Sequence, residues 1–231
     1  MFPLRDTTRS RSFPWVNWAL ILVTTLVFLF ETSLSPSAAE RLLFNYGLIP
    51  ARLSLLNPLP WATLLSSVFL HGGWFHLISN MWMLYIFGDN VEDRMGSGLY
   101  LVFYLAAGIV AGLAQAFFSP TSSVPTVGAS GAIAGVLGAY FVLFPRGRVL
   151  TFVPLFFVPW LVEIPAYIFL GIWFFSQLSS GLLAFGAAAS FSGIAWWAHI
   201  GGFAFGLLLA LPFKRPRRPE VVGHPDEHWP W

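Results

Sequence analysis

The chain has 231 residues, of which 57% are hydrophobic, 18% are aromatic and only 10% are charged. Soluble domains carry about 25% charged residues, so this composition excludes a water-soluble globular fold and, for most of the chain, disorder. The net charge of +2 gives no reason to expect nucleic-acid binding, and the absence of Cys excludes disulfides, thiolate metal sites and a Cys nucleophile.

Six apolar segments are predicted to be transmembrane helices, because about 20 apolar residues cross a bilayer. They cover about residues 15–30, 75–87, 99–118, 126–144, 164–183 and 193–213. The segment 149–162 is also apolar, but Pro154 and Pro159 favour a connector at the membrane surface over a seventh span. The region 34–73 contains four prolines and several apolar clusters, which predicts a structured loop in the membrane interface.

The distribution of Lys and Arg predicts the orientation. If the N-terminus is cytoplasmic, 10 of the 12 basic residues lie on the cytoplasmic side, and only Arg41 and Arg52 lie outside. The positive-inside rule therefore favours six spans with both ends in the cytoplasm. We predict a cytoplasmic N-terminal segment over 1–14, a six-span domain over 15–213 and a flexible basic tail over 214–231.

Four polar residues near the starts of three spans are functional candidates, since polar side chains inside a membrane are costly. Ser130 begins the fourth segment among glycines, His199 lies early in the sixth, and His76 and Asn80 share one face of the second. Structural explanations also exist: close helix packing for Ser130, and a buried ring bonded to a carbonyl for His199. With the N-terminus inside, all three groups are predicted roughly 10 Å below the outer face.

A serine beside a histidine makes an activated nucleophile, because the imidazole accepts the hydroxyl proton. His76, Asn80 and the free N–H groups at the start of the fourth helix are placed to stabilise an oxyanion. No acidic residue is predicted at that depth, which indicates a Ser–His dyad. No HExxH motif and no paired intramembrane Asp residues occur, so neither a metal nor another cofactor is expected. His71 is interpreted as an interfacial residue bonded to water.

Three stretches resemble the rhomboid family of intramembrane serine proteases: FLHGGWFHLISNMWMLYIFGDNVEDRMG, PTVGASGAIAGVLGAY and AWWAHIGGFAFG. The resemblance covers about residues 60–212 and implies an all-α bundle of six transmembrane helices. It implies Ser130 as nucleophile, His199 as general base, and an oxyanion hole at His76, Asn80 and Gly128. It also implies transmembrane protein substrates that are cut in the lipid bilayer near the outer end of their helix.

Two positions depart from the family pattern. Trp61 is followed by Ala62, where many rhomboids carry Trp-Arg, so we expect the first large loop to be anchored differently. Ala134 stands where some members place a Tyr that supports the histidine ring, so another group must hold the ring of His199.

Several interpretations remain open at this point. A membrane chaperone of the inactive-rhomboid type is the alternative to a protease, and a small transporter is disfavoured because the chain has no internal repeat. Trp173 and Phe174 are expected either to border a substrate entry between the second and fifth spans or to face lipid. The expected location is a bacterial plasma membrane, with the active site open to the non-cytoplasmic side; the oligomeric state is undetermined.

Overall fold

The computed structural model describes residues 1–155, 158–186 and 194–214, and within these ranges the chain is mostly helical. The tail beyond Lys214 and the start of the sixth predicted segment at Gly193 lie outside the described residues. The elements in chain order are β1 (Phe2–Asp6), α1 (Trp15–Ser33), α2 (Pro36–Tyr46), α3 (Thr63–Ser66), α4 (Trp74–Met95), α5 (Ser97–Phe118), α6 (Ser130–Leu143), β2 (Arg148–Leu155), β3 (Val158–Pro165), α7 (Ala166–Gly186) and α8 (Trp196–Leu209).

Three of the described helices are long and apolar enough to cross a membrane, namely α1, α5 and the part of α7 over Ala166–Leu183. The apolar helices α6 and α8 have 14 residues each. That length gives about 21 Å, which is less than the thickness of the bilayer core. The helix α4 has 22 residues, but charged residues occupy its last two turns. The described bundle therefore combines long apolar helices with two that are shorter than the bilayer core is thick.

Two predicted segments have different boundaries in the structure. The second was expected to end at residue 87, but α4 continues to Met95 because Glu92 is buried and hydrogen-bonded rather than solvated. The fourth was expected to begin at residue 126, but Thr126 is held in an isolated β-bridge with Leu48 and α6 begins only at Ser130. Ser130 is thus the first helical residue.

A side chain of α4 caps the N-terminus of α1, which has no cap of its own. The carboxylate of Glu92 accepts hydrogen bonds from the backbone N–H of Val16 at 3.1 Å and of Asn17 at 2.7 Å. The hydroxyl of Ser97 also donates to it. Glu92 is only 1% exposed. Three donors and the positive end of a helix dipole offset the cost of burying this charge, and they fix α1 to α4.

The fold is mostly helical, as expected, but it is not all-α, because the described residues include a three-stranded antiparallel sheet in the order β1-β2-β3. The segment 149–162 was expected to be a connector at the membrane surface, but its described residues 149–155 and 158–162 lie in the antiparallel strands β2 and β3, where Pro154 lies opposite Pro159. Proline disfavours a helix here, while the alternation that buries Val149 and Thr151 suits a strand. Phe2–Asp6, inside the predicted N-terminal segment, adds the third strand.

Side chains of the helical bundle hold β1 in place. The indole Nε1 of Trp82 donates to the carbonyl oxygen of Pro3 at 2.7 Å. The carboxyl group of Asp6 accepts hydrogen bonds from Tyr140 Oη at 2.6 Å and from Asn90 Nδ2 at 2.9 Å. Burial raises the pKa of Asp6 to about 6. This contact between strand and bundle therefore involves a fully charged carboxylate only above that pH.

The helix α6 lies at the centre of the bundle, and residues 131–140 are all buried. Its glycines allow the backbone of α8 to approach closely. A Cβ atom on Gly202 would overlap the carbonyl oxygen of Gly131, and one on Gly206 would overlap that of Gly135. The Gly-x-x-x-Gly spacing on both helices thus produces backbone-to-backbone packing, which sets the distance between the side chains that α6 and α8 carry.

This packing predicts that Gly206→Ala destabilises the fold. The added methyl group meets backbone atoms that cannot rotate away, and overpacking of this kind costs about 1–3 kcal/mol. We expect a lower Tm in detergent. The matched control is Gly171→Ala in α7, where a Cβ meets no atom within 4 Å, so its Tm should stay equal or rise slightly. Equal Tm values for Gly206→Ala and the wild type would contradict the packing described here.

Candidate active site

The side chains of Ser130 and His199 are in direct contact. Ser130 is the first residue of α6, His199 is the fourth residue of α8, and the Oγ of the serine lies 2.8 Å from Nε2 of the histidine. The glycine contacts between α6 and α8 explain how a side chain as short as serine reaches a ring on the neighbouring helix. Both residues are half-buried.

The second nitrogen of the His199 ring has a partner that the sequence analysis missed. Nδ1 of His199 lies 2.7 Å from Oε1 of Gln177 on α7. The ring of Trp173 also lies beside the imidazole, with a centroid distance of 6.0 Å. These two residues of α7 hold the ring where Ala134 cannot. The sequence indicates this residue as a candidate, since Gln177 is a polar side chain inside a largely apolar segment.

His76, Asn80 and Gly128, which the resemblance implies for an oxyanion hole, lie close together. Gly128 has a φ of +124°, and a Cβ there would lie 2.6 Å from the His76 ring and 3.6 Å from Nδ2 of Asn80. The N–H of Gly128 donates to the carbonyl oxygen of Ser67 at 2.9 Å. The missing side chain of Gly128 therefore leaves room for the His76 ring. The N–H of Gly128 is already hydrogen-bonded to Ser67 and does not point to an oxyanion as a free donor.

His71 is buried, with 2% of its surface exposed, and its interpretation as an interfacial residue is wrong. Nδ2 of Asn80 donates to Nε2 of His71 at 2.9 Å. The backbone N–H of His71 donates to the carboxylate of Glu31, 3.3 Å away at the end of α1. Phe28 of α1 also packs edge-on against the His71 ring. His71 is thus a support for Asn80, and α1 covers it.

A cavity of about 860 Å³ contains the candidate site. Ser130, His199, His76 and Asn80 line it, and its walls include α2 at Phe44 and the segment that precedes α6. Since most of the remaining lining is apolar, the cavity suits a hydrophobic polypeptide segment that presents one polar group to the serine.

The loop between α2 and α3 is structured, as predicted, and its anchoring differs from the Trp-Arg pattern. The guanidinium of Arg52 donates to the carbonyl oxygen of Phe44 at 2.7 Å and lies 3.7 Å from the centre of the Phe44 ring. The indole of Trp61 donates to the carbonyl oxygen of Ser54 at 3.0 Å. Arg52 therefore connects this loop to a wall of the cavity, although Ala62 has replaced the usual arginine.

Trp173 and Phe174 pack against α8. The ring of Phe174 stacks on Phe203 at a centroid distance of 4.6 Å, and Trp173 lies 6.1 Å from the same ring. The two aromatic residues therefore join α7 to the helix that carries His199. Both side chains are half-buried, so their place beside a substrate entry or against lipid stays a prediction.

The chemistry of this arrangement follows from its parts. A hydroxyl in contact with an imidazole is a potential nucleophile, and the amide of Asn80 and the ring of His76 offer hydrogen-bond donors beside it. Ser130, Gly131 and Ala132 also lie in the first turn of α6, where backbone N–H groups lack partners within the helix. No cluster of residues suited to a metal ion occurs in the part of the chain that the structure describes.

Comparison with known proteins gives consistent matches. Residues 58–216 match the family model described as Rhomboid domain. The chain is 29% identical over 171 residues to Rhomboid protein 1, mitochondrial, of Saccharomyces cerevisiae, covering 70% of this chain and 46% of the relative. It is 46% identical over 86 residues to Rhomboid protease GluP of Bacillus subtilis, covering 37% and 16% of the two chains.

The human Presenilin-associated rhomboid-like protein, mitochondrial, is 31% identical over 128 residues, which cover 52% of this chain and 31% of that protein. The chain thus spans less than half the length of each of these three relatives.

Proposed function

Because this chain belongs to the rhomboid family, we propose that it is an intramembrane serine endopeptidase that uses Ser130 and His199 as a dyad. It is a membrane protein with several long apolar helices. The observation that carries the proposal is the 2.8 Å contact between Ser130 Oγ and His199 Nε2 inside a largely apolar cavity. A purely structural role for His199 would not explain why a serine hydroxyl and the polar side chains of His76 and Asn80 line the same cavity.

The proposed reaction begins when Ser130 Oγ attacks the carbonyl carbon of the scissile peptide and its proton passes to Nε2 of His199. Asn80, His76 and the free N–H groups of the first turn of α6 stabilise the oxyanion. The imidazolium then gives its proton to the leaving nitrogen, and the C–N bond breaks. A water molecule, deprotonated by His199, hydrolyses the acyl-enzyme and releases the new carboxyl terminus.

The proposed substrates are transmembrane segments of other membrane proteins, cut near the outer face. This choice rests on the position of the site. Ser130, His199 and His76 all lie within four residues of the N-terminal ends of their helices. These ends therefore meet at one side of the bundle, where an apolar segment from the bilayer reaches the dyad and water has access from outside.

For the topology, we propose six spans within residues 15–213, with the segment 1–14 and the tail from 214 in the cytoplasm. Reporter fusions after Phe118 should then report an outside position, and fusions after Phe213 an inside position, since basic residues resist translocation. A fusion after Phe213 that reports outside would overturn the six-span arrangement.

We also propose a bacterial plasma membrane as the location, supported by the Bacillus relative; other relatives carry mitochondrial names.

The decisive experiment is labelling by a fluorophosphonate probe, which reacts covalently with an activated serine. We expect the full chain in detergent to be labelled, and mass spectrometry to place the adduct on Ser130. A correctly folded wild-type protein that takes no label, together with unchanged function in cells for Ser130→Ala, would instead support a chaperone of the inactive-rhomboid type.

A further inference from the structure

The imidazole of His199 is held from its far side by an amide. Its Nδ1 lies 2.7 Å from Oε1 of Gln177, whose side chain is only 8% exposed. A carbonyl oxygen accepts hydrogen bonds and never donates them, so this contact requires the proton on Nδ1. A neutral imidazole with its proton there has its lone pair on Nε2, the atom that faces Ser130.

The orientation of the Gln177 amide is itself fixed by its neighbours. The hydroxyl of Ser176 donates to the carbonyl oxygen of Trp173 at 2.6 Å, which leaves the Ser176 oxygen as an acceptor. Nε2 of Gln177 lies 3.0 Å from that oxygen and donates to it. If the amide were turned over, an oxygen would face a hydroxyl whose proton is already used. The hydrogen bonds therefore place the amide oxygen, and not the nitrogen, against His199.

We propose that Gln177 is a positioning residue for the Ser130–His199 pair. It selects the tautomer of His199 whose Nε2 accepts the serine proton, and it holds the imidazolium that forms when the proton arrives. This inference rests on the proposed function. Gln177 takes the part that a carboxylate plays in a serine–histidine–aspartate triad. A neutral amide suits this position because a carboxylate inside a membrane protein is expensive to bury.

Two replacements of similar size separate positioning from simple packing. Gln177→Leu fills the space but removes the acceptor, whereas Gln177→Glu keeps an acceptor and adds a charge. If Gln177 only fills space, the leucine variant keeps its activity and the glutamate variant loses it. A positioning role predicts the reverse order. In Gln177→Leu the buried Nδ1–H has no acceptor, so the proton moves to Nε2, where it blocks proton transfer from Ser130.

The measurement is the second-order rate of fluorophosphonate labelling of the full chain in detergent, with the Tm of each variant. We expect Gln177→Leu to be labelled about 10- to 100-fold more slowly than the wild type with a similar Tm. Gln177→Glu should be labelled at least about tenfold faster than Gln177→Leu, despite a lower Tm. The control is Ser179→Ala on the same helix, whose hydroxyl donates to the carbonyl of Phe175; its rate should equal that of the wild type.

A wild-type labelling rate for Gln177→Leu, or a Gln177→Glu rate at or below that of Gln177→Leu, overturns the proposal.

Should Gln177→Leu fail to fold, Ser176→Ala decides the question. This variant removes the anchor of the amide at an exposed position, and we expect labelling to slow by about three- to tenfold; an unchanged rate overturns the inference. A wild type that takes no label overturns the protease assignment and this inference together, whereas a labelled wild type with an unaffected leucine variant overturns only the inference.

Discussion

Replacement of Ser130 by Ala is expected to reduce cleavage of a transmembrane reporter to background, a loss of about 10⁴-fold or more. The variant removes the only atom that forms the covalent bond, and water cannot take its place in the same geometry. His199→Ala should lose nearly as much, because the remaining hydroxyl has ordinary nucleophilicity. Cleavage of a fluorescent reporter in proteoliposomes measures both losses.

The double variant provides the stricter test. Residues that act as a unit are not additive, so Ser130→Ala combined with His199→Ala should be no slower than either single variant. Each protein must keep the Tm of the wild type, since both residues lie between helices. A folded Ser130→Ala variant that cuts the reporter at the wild-type rate would remove the basis for a protease and leave a chaperone function.

Asn80→Ala is expected to lower the rate by about 10²–10³-fold, which corresponds to the loss of one oxyanion donor. Its Nδ2 has two N–H bonds: one is donated to His71, and the other remains available on the cavity side. Backbone N–H groups at the start of α6 and the ring of His76 remain in the variant. Activity should therefore be measurable, unlike that of Ser130→Ala, and the variant should still react with fluorophosphonate.

Asn80→Asp is the matched comparison, because it keeps the shape of the side chain and replaces the donor with a negative charge. We expect it to be slower than Asn80→Ala, since a carboxylate repels the oxyanion. The exposed Asn45→Ala on α2 should retain the wild-type rate. Equal rates for Asn80→Ala and the wild type, at equal Tm, would remove Asn80 from the oxyanion hole.

The pairing of Ser130 with His199 could be predicted because both lie near the starts of apolar segments and within short motifs. The helices α6 and α8 begin three to four residues later than the apolar segments suggest, yet the two side chains still meet. Two other features depend on tertiary packing: the irregular backbone before Ser130, and the glycine contacts between α6 and α8. The Gly-x-x-x-Gly spacing indicates close helix packing without naming the partner helix, and no sequence pattern indicates the irregular segment.

The contact of Gln177 with His199 and the burial of His71 could not be predicted from the sequence. A polar side chain within a span is a functional candidate, but an amide is neither a nucleophile nor a base, so Gln177 does not stand out on the fifth segment. His71 lies next to glycines in a loop, which predicts exposure. Its burial depends on Glu31 and Phe28 of α1, about 40 positions away in the chain. Only the folded arrangement brings α1 over it.

Because Glu92 of α4 caps α1, N-terminal truncation is expected to affect the stability of the whole bundle. The family match begins at residue 58, but a fragment trimmed to that boundary would lose α1 and with it Val16 and Asn17, two of the three hydrogen-bond donors of Glu92. The same cut would strip Glu31 from His71 and so expose the support of Asn80. Loss of these contacts of two carboxylates is expected to destabilise the remaining bundle. We therefore expect the smallest fragment that folds to include the whole of α1, well upstream of the segment that matches the family.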